Sequence, residues 1–383
     1  MGFHQIAGFA IGILLSPIYI VFLGLGVTPF FQRHFLYAHK INTWWTDLNE
    51  PEAWGFAKNQ VSPFGLKTTD GETLYAWHIL PLPIYLQNEE LLVNEPTGYI
   101  QDITQATSFR LLKEDPKAKL ILYFHGNAGH VAQGIRPDSY HTLTDTSHYH
   151  VVAIDYRGYG QSTSYPSEDG LITDAYSLVD WAINTAGVPP RQIVLLGQSL
   201  GTAVVSAVAE KCALQSIELG GVVLVAGFSD LANMLSGYRI GGIVPALGPF
   251  ASMPWFVNLL KRYVVDKWHS ANRLGNLVLH TKSRLRLTMI HAKDDWDIPY
   301  TEDDKLFKSA AMQTTDLVSD QEFATLKEQR TVHRGKDSFE TIWRAEPDIV
   351  IRQELYPYGG HNDIMGFAPV SLAIMKCFDD AAK

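Results

Sequence analysis

A serine at position 199 lies in a short motif, GQSLG (residues 197–201), that strongly limits how the surrounding chain can fold. The motif follows the apolar run of residues 193–196 and precedes residues 202–211, whose small and apolar side chains are typical of a helix. A serine at a sharp turn from strand to helix needs small residues two places to either side, because the backbone approaches itself closely there. The pattern therefore predicts a strand–turn–helix unit that presents Ser199 as a nucleophile.

Strand and helix signals alternate on both sides of this unit. Residues 120–124 and 151–154 are continuous apolar runs, typical of strands buried on both faces of a sheet, and residues 222–225 and 285–290 continue the pattern. Residues 170–186 have the apolar spacing of a helix. Alternation of this kind predicts the α/β class, with a mostly parallel central sheet and helices on both faces.

Residues 34–383 are predicted to form one domain with two insertions. Residues 64–81 predict a hairpin, since two alternating runs meet at an Asp-Gly pair. Residues 229–283 are rich in Gly, Pro and aromatic residues and are predicted to form a cap, although the apolar stretch 255–264 with its basic residues could instead contact a membrane. Residues 314–348 are polar and charged, which predicts a helical insertion or a surface excursion.

The N-terminal segment has a different composition. Residues 1–32 contain no Asp, Glu, Lys or Arg, and residues 6–29 are almost wholly apolar. A helix of this length would span about 36 Å, more than the hydrocarbon core of a bilayer at about 30 Å. A cleaved signal peptide would show a basic start, a shorter apolar run and a small-x-small cleavage site, and none of these is clear. We therefore predict an N-terminal transmembrane anchor at residues 1–33.

Charge and motif content argue against several partners. The net charge of −9 and the lack of any Lys/Arg-rich run argue against nucleic acid, because phosphate binding needs clustered cations. The chain has neither a G-x-x-x-x-G-K-[ST] nor an H-E-x-x-H motif, so no nucleotide or metal cofactor is expected. The two cysteines, Cys212 and Cys377, are too few for a disulfide framework and are predicted to be buried thiols.

A nucleophilic serine needs a general base, and the base needs a carboxylate that orients it. In chains with this type of turn the order is serine, acid, histidine. His361, in PYGGHND, follows a strand-like run and two glycines and is the predicted base. The segment LTMIHAKDDWDIP offers Asp294, Asp295 and Asp297 as the acid. Asp297 is predicted to cap the following helix, which leaves Asp295 with Asp294 as its competitor.

The stretch HGNAGH, residues 125–130, directly follows the strand signal LILYF. A loop at this place can supply a backbone N–H to an oxyanion hole, and its glycines allow a close approach of the backbone. We predict that the N–H groups of Asn127 and Leu200 hold the developing oxyanion. His125 and His130 are predicted to form structural hydrogen bonds within the loop.

Five segments together resemble the α/β hydrolases over residues 64–363. They are HGNAGH, DYRGYGQS followed by PSEDGLITDA, GQSLGTAV, HAKDDWDIP and GGHND. Within that superfamily the chain is similar to the membrane-anchored lipases of the α/β-hydrolase domain-containing protein 12 group and their fungal relatives. The resemblance implies one N-terminal transmembrane helix and an acid four residues before the proline of a D-x-x-x-P pattern, which maps onto Asp295 and Pro299.

The resemblance also implies a lipid ester substrate, either a lysophospholipid or a monoacylglycerol, cleaved through an acyl-enzyme. A related group with a similar GQS turn removes palmitate from protein cysteines, so a thioesterase is an alternative activity. A non-catalytic membrane scaffold that keeps the hydrolase fold is a second alternative, because folds host unrelated functions.

The location implied is a single-pass membrane protein of the endoplasmic reticulum or another endomembrane. Arg33 and Lys40 follow the apolar segment and no Lys or Arg precedes it, which favours a cytosolic catalytic domain. The absence of any N-x-[ST] sequence agrees with the cytosol. The family resemblance suggests a lumenal domain for some members, so both orientations stay open.

Overall fold

The apolar runs of the sequence form neighbouring strands in the computed structural model. The structure describes residues 21, 24–43, 45–232, 234, 239–240, 244–245, 253–316 and 319–379. The strands in chain order are β1 (Val61–Lys67), β2 (Thr73–Ile79), β3 (Lys119–Phe124), β4 (Tyr149–Ile154), β5 (Ile193–Gln198), β6 (Gly221–Val225), β7 (Arg239–Ile240), β8 (Val244–Pro245), β9 (Leu285–Ala292), β10 (Thr331–Gly335), β11 (Ser338–Ala345) and β12 (Ile349–Tyr356).

One large sheet has the strand order β1-β2-β4-β3-β5-β6-β9-β12-β11-β10. Its middle strands, from β4 to β12 in this order, run parallel to one another. The strands at the two edges pair antiparallel, and β1 and β2 form the hairpin predicted for residues 64–81. β7 and β8 form a separate short pair. The predicted α/β class with a mostly parallel sheet is confirmed.

Helices cover both faces of this sheet. They are α1 (Pro29–Tyr37), α2 (Leu82–Gln87), α3 (Glu89–Val93), α4 (Thr107–Glu114), α5 (Arg136–Thr144), α6 (Glu168–Asp180), α7 (Leu200–Leu214), α8 (Pro254–Arg262), α9 (Ser270–His280), α10 (Thr301–Met312), α11 (Asp320–Gln329) and α12 (Ala368–Phe378). The buried side chains of α5 and α12 pack on one face of the sheet. Those of α4, α6, α7, α9 and α10 pack on the other face. The central strands are therefore covered on both faces, which explains their continuous apolar runs.

The parallel strands bring three distant parts of the chain to one edge of the sheet. Ser199 directly follows β5, Asp295 lies in the loop after β9, and His361 lies in the loop after β12. The carboxyl ends of parallel strands meet at the same edge, where open α/β sheets form their binding crevices. The topology thus places the predicted nucleophile, acid and base on the same side of the molecule.

Residues 314–348 contain more regular structure than a helical insertion or a surface excursion. The helix is present as α11, but β10 and β11 then form a hairpin that extends the sheet at its edge. Trp343 of β11 is buried against Phe307 and Phe323. The prediction was therefore wrong for the strands, because an antiparallel edge needs only one apolar face and shows no continuous apolar run.

Two predicted segments extend beyond the described residues. Most of the predicted anchor, residues 1–33 with its span at 6–29, lies outside them. Within the described ranges, no helix is long and apolar enough to cross a membrane. Part of the predicted cap, residues 229–283, lies outside them as well, at 233, 235–238, 241–243 and 246–252. The last helix of that segment, α9, buries Leu274, Leu277 and Val278 in the layer that covers the sheet.

Candidate active site

Ser199 occupies the sharp turn between β5 and α7. Its backbone has φ 52° and ψ −118°, a conformation that residues other than glycine rarely adopt. A Cβ atom on Gly197 would lie 2.5 Å from the carbonyl oxygen of Gly201, and one on Gly201 would lie 2.0 Å from the carbonyl oxygen of Phe124. Both neighbours are backbone atoms that cannot rotate away, so the turn requires glycine at both positions.

The structure brings Ser199, His361 and Asp295 into one hydrogen-bonded chain. His361 Nε2 lies 2.9 Å from Ser199 Oγ, and His361 Nδ1 lies 2.8 Å from Asp295 Oδ2. In the tautomer that this arrangement favours, Nδ1–H donates to the carboxylate and Nε2 accepts the serine proton. The Asp295 side chain is fully buried and that of His361 is 14% exposed, so the base faces outward and the acid does not.

Asp295 Oδ1 is held by the backbone while Oδ2 faces the imidazole. The N–H groups of Asp297 and Ile298 both donate to Oδ1 at 2.9 Å. Burial alone would raise the pKa of Asp295, but hydrogen bonds from His291 and His361 outweigh it and hold the pKa well below its usual range. Asp295 therefore stays ionised and oriented at neutral pH.

Asp294 contacts the loop that carries His361 rather than the imidazole. Its Oδ1 accepts the N–H of Gly360 at 2.7 Å. Gln198 holds the same loop from the other side, because its Nε2 donates to the carbonyl oxygen of His361 at 3.1 Å and to Asn362 Oδ1 at 2.9 Å. The geometry thus separates two neighbouring carboxylates: one faces the base and the other holds its loop.

Asp297 does not cap the next helix as predicted. Tyr300 is the residue at the N-cap of α10, and no side chain accepts a hydrogen bond there. Asp297 instead lines the cavity beside Ser199. Among the described residues, the one group of three close enough to share a metal ion is Asp295, Asp297 and His361. Two of these are already hydrogen-bonded to each other, which explains why they lie so close together.

His291 was missed as a functional residue, although it stands four places before Asp295 in a strand that the sequence predicts to be buried. Its Nε2 lies 3.1 Å from Asp295 Oδ2, the same oxygen that His361 contacts. Its Nδ1 lies 3.2 Å from Asp303 Oδ1. Burial would lower the pKa of His291, but the charge of Asp303 and the hydrogen bond to Asp295 raise it to about 10.

The loop after β3 lies against the nucleophile. Asn127 and Leu200 line the cavity with Ser199, and neither backbone N–H has an acceptor among the described residues. The buried guanidinium of Arg136 donates to the carbonyl oxygens of Gly126, Asn127 and Ala128 at 2.8 to 3.1 Å and also to that of His130. Arg136 was not singled out from the sequence, because its partners are backbone atoms that no motif displays.

The two histidines of this loop are buried. His125 Nδ1 contacts the carbonyl oxygen of Gly126 at 2.6 Å, and His130 Nε2 contacts Thr43 Oγ1. Burial lowers the pKa of both imidazoles, and the Arg136 charge lowers it further. Both therefore stay neutral and lie within a structural network, as expected.

A cavity of about 520 Å³ opens beside Ser199 and His361. This volume is within the range of small-molecule sites. An apolar wall is formed by residues from two segments, namely Phe35, Leu36, Phe228, Leu231 and Met234. The contribution of α1 was not predicted, since nothing in the sequence links residues 35 and 36 to a serine more than 160 residues away.

Comparisons with known proteins find a matching family and several relatives. Residues 119–317 match the model of the family described as alpha/beta hydrolase fold. Human Protein ABHD12B is 29% identical over 196 residues, which cover 50% of this chain and 49% of that protein. Lysophosphatidylserine lipase ABHD12 of Danio rerio is 26% identical over 291 residues, covering 74% of this chain and 68% of that protein. The rat protein of the same name is also 26% identical, and 60% of its length is covered.

Solved structures show the same fold at low sequence identity. An alpha-beta hydrolase from Vibrio vulnificus has a TM-score of 0.52 and 14% identity, with 88% of this chain and 89% of that chain covered. The Pyrococcus furiosus esterase Pf2001 has a TM-score of 0.50 and 14% identity, with 88% and 98% covered. Identities this low support the fold and not a substrate.

Proposed function

Because the chain belongs to the α/β-hydrolase family, we propose that it is a serine hydrolase that cleaves acyl esters of lipids at a membrane. The observation that carries the proposal is the chain of contacts from Ser199 through His361 to Asp295, which opens onto a cavity with an apolar wall. A buried Asp–His pair with a purely structural role needs no cavity, and an apolar cavity with a purely binding role needs no ionised acid. Their combination fits covalent catalysis on an apolar substrate.

The proposed reaction uses the serine as a temporary acyl carrier. Ser199 Oγ attacks the acyl carbonyl carbon while His361 Nε2 takes the hydroxyl proton, and Asp295 stabilises the imidazolium that forms. The N–H groups of Asn127 and Leu200 hold the oxyanion, each donor contributing about 3 kcal/mol in comparable sites. The tetrahedral intermediate expels the alcohol, which takes its proton from Nε2. Water then attacks the acyl-enzyme by the same route, so Ser199 is regenerated and a fatty acid leaves.

The proposed substrates are monoacylglycerols or lysophospholipids. The apolar wall of Phe35, Leu36, Phe228, Leu231 and Met234 fits one acyl chain. The similarity to ABHD12 proteins, named lysophosphatidylserine lipases, supports a lysophospholipid. Because this chain spans about half of ABHD12B and 60% of rat ABHD12, the activity of those proteins enters here as a proposal.

We also propose that residues 1–33 anchor the enzyme in the endoplasmic reticulum or another endomembrane. The uncharged apolar segment 6–29 supports a single span, and the basic residues Arg33 and Lys40 that follow it favour the cytosolic side. Protease protection in sealed microsomes measures the orientation directly. A protected catalytic domain would place it in the lumen instead.

Active-site labelling tests the chemistry. Wild type should react with a fluorophosphonate at Ser199, and Ser199→Ala should not. Ser206→Ala is a matched control, because Ser206 lies in the same helix and donates within it to the carbonyl oxygen of Thr202. If Ser199→Ala labels as strongly as wild type, the proposed nucleophile is wrong. A panel of lysophospholipids, monoacylglycerols and S-palmitoylated peptides then separates lipid ester hydrolysis from thioester hydrolysis.

A further inference from the structure

Two helices far apart in sequence expose large apolar side chains. These side chains, each between 41% and 67% exposed, define what we name the docking surface: Phe30, Phe31, Phe35, Trp255, Tyr263 and Val265. The three phenylalanines lie on one side of α1, since positions i, i+1 and i+5 fall within less than half a turn of circumference. Apolar patches of this kind on a folded protein mark a contact with another apolar surface.

The two parts of the docking surface are joined by hydrogen bonds. Gln32 Nε2 donates to the carbonyl oxygen of Tyr263 at 2.7 Å, and the N–H of Val265 donates to Gln32 Oε1 at 3.0 Å. Tyr37 at the end of α1 donates to Asp266 Oδ2 at 2.8 Å. The exposed side chains of α1 therefore lie beside those of residues 263–265, which directly follow α8.

The two segments that carry the docking surface have only basic charged residues, and Asp266, which accepts the Tyr37 hydroxyl, directly follows the second. Residues 24–46 and 253–265 contain no Asp or Glu but contain Arg33, Lys40, Lys261 and Arg262. Aromatic side chains next to basic residues are typical of the boundary between lipid headgroups and acyl chains. The cations would also attract anionic headgroups. A second protein would need acidic side chains opposite these cations, whereas an anionic bilayer supplies negative charge through its headgroups.

The docking surface adjoins the cavity. Phe35 is 49% exposed and also lines the cavity with Ser199. The end of α1 also holds the loop after β3. Asn127 Nδ2 donates to the carbonyl oxygen of Leu36 at 2.8 Å, and the N–H of Ala128 donates to the carbonyl oxygen of Tyr37 at 3.1 Å. The helix at the end of the predicted anchor, α1, is thus also a wall of the site.

We propose that the docking surface lies on a bilayer that carries anionic lipids, so that a lipid ester enters the cavity past Phe35 directly from the membrane. This inference rests on the proposed function and adds how the substrate reaches Ser199. A transmembrane anchor alone would leave the catalytic domain free to tilt away from the bilayer. The docking surface would hold the cavity mouth at the interface.

Site-specific fluorescence tests this orientation in the full chain. Both native cysteines are buried, so Trp255→Cys offers a single accessible thiol for an NBD label. Leu279→Cys is the control. Leu279 is 62% exposed at the end of α9, near the start of β9, whereas the site lies at the carboxyl ends of the strands. In vesicles of phosphatidylcholine and phosphatidylserine, the label at 255 should shift to shorter wavelength and be quenched by doxyl lipids. The label at 279 should do neither.

Equal behaviour of the two labels would overturn the proposal. A label at 255 that is shielded from water but insensitive to doxyl lipids would overturn it too, and would point to a protein partner such as a second copy. Fluorophosphonate labelling of Ser199 in the same vesicles tests the proposed hydrolase separately. Either proposal can therefore fail while the other stands.

A second inference comes from the acid side of the site. Asp295 Oδ2 is shared by two imidazoles, those of His361 at 2.8 Å and His291 at 3.1 Å. The titratable groups that face His291 are Asp303 on α10, Asp295 and, across Asp295, His361. We infer that His291 is a positioning residue, whose imidazolium between two carboxylates fixes the oxygen that orients His361.

Steady-state kinetics of His291→Gln test this role. We expect kcat to fall roughly 10- to 100-fold with little change in KM, because the acid loses its fixed position. The acid limb of the kcat/KM profile should move up by roughly 1 pH unit, because removing a neighbouring positive charge favours the protonated, inactive base. A folded variant with an unchanged acid limb would show that His291 is only structural.

Discussion

The two sides of the cavity differ in how far their side chains are exposed to solvent. On the strand side, Asp295, His291 and His361 are held by one another and by backbone N–H groups, and almost nothing is exposed. On the side of α1, the side chains of Phe30 and Phe31 are 60% and 41% exposed. The first side is held together within the protein, whereas the second presents apolar side chains on its surface.

This difference separates chemistry from substrate delivery. A fixed network of charges stabilises the transition state of any ester, so damage to it should slow every substrate. An apolar rim acts only on substrates that come from an apolar phase. Four substitution experiments would break or sharpen the comparison, and they follow in order of expected size.

Asp295→Asn should have the largest effect, a fall in kcat of roughly 10⁴-fold, because an amide favours the wrong imidazole tautomer. Asp294→Asn is the matched control, since an asparagine keeps the oxygen that accepts the Gly360 N–H. That variant should stay within roughly tenfold of wild type. Turnover of a soluble ester measures both. Equal losses would contradict the assignment of Asp295 as the acid.

Gly201→Ala should prevent folding or lower the free energy of unfolding by about 3 kcal/mol or more, because its Cβ would meet the carbonyl oxygen of Phe124 at 2.0 Å. Gly366→Ala, at a glycine with no heavy atom within 4 Å, should change that free energy by less than about 0.5 kcal/mol. Soluble yield and thermal melting check both variants. A stable Gly201→Ala protein would argue against the tight packing of the turn on β3.

The stability of wild type should fall between pH 7 and pH 10. The pKa of His291 is about 10 in the folded protein, against about 6.5 when unfolded, so its contribution is fully present below pH 6.5 and is lost as the pH rises through 10. Asp155, whose pKa burial raises to about 7, titrates mainly below this window. We expect a loss of about 3 kcal/mol by urea unfolding, and a flatter profile for His291→Gln. An equally steep profile in that variant would point to other groups.

Phe35→Ala should have the smallest effect, a roughly tenfold loss of kcat/KM for long acyl chains that shrinks as the chain shortens, because about 1–2 kcal/mol of apolar contact is removed. Phe31→Ala provides the comparison, because Phe31 belongs to the docking surface and is not among the residues that line the cavity. It should slow hydrolysis of vesicle-borne lipids equally at every chain length. If both variants show the same dependence on chain length, Phe35 has no separate role in the cavity.

Part of the fold and of the candidate site was predictable because local constraints leave local patterns. A strand covered on both faces must be apolar throughout, and a turn on which an added Cβ would lie 2.0 Å from a carbonyl oxygen of β3 must carry glycine. The sheet and the position of Ser199 were therefore visible in short segments. The hairpin of β10 and β11 was not visible. Its one buried face can be recognised only from the contact that Trp343 makes with Phe307 of α10.

The sequence by itself determined the α/β class and the strained turn at Ser199, because each depends on residues close together in the chain. Only the tertiary structure separated Asp295 from Asp294, placed His291 on the same carboxylate oxygen as His361, and brought Phe35 to the cavity. Those outcomes depend on distances between strand ends and helices far apart in sequence, which packing sets and no local pattern records.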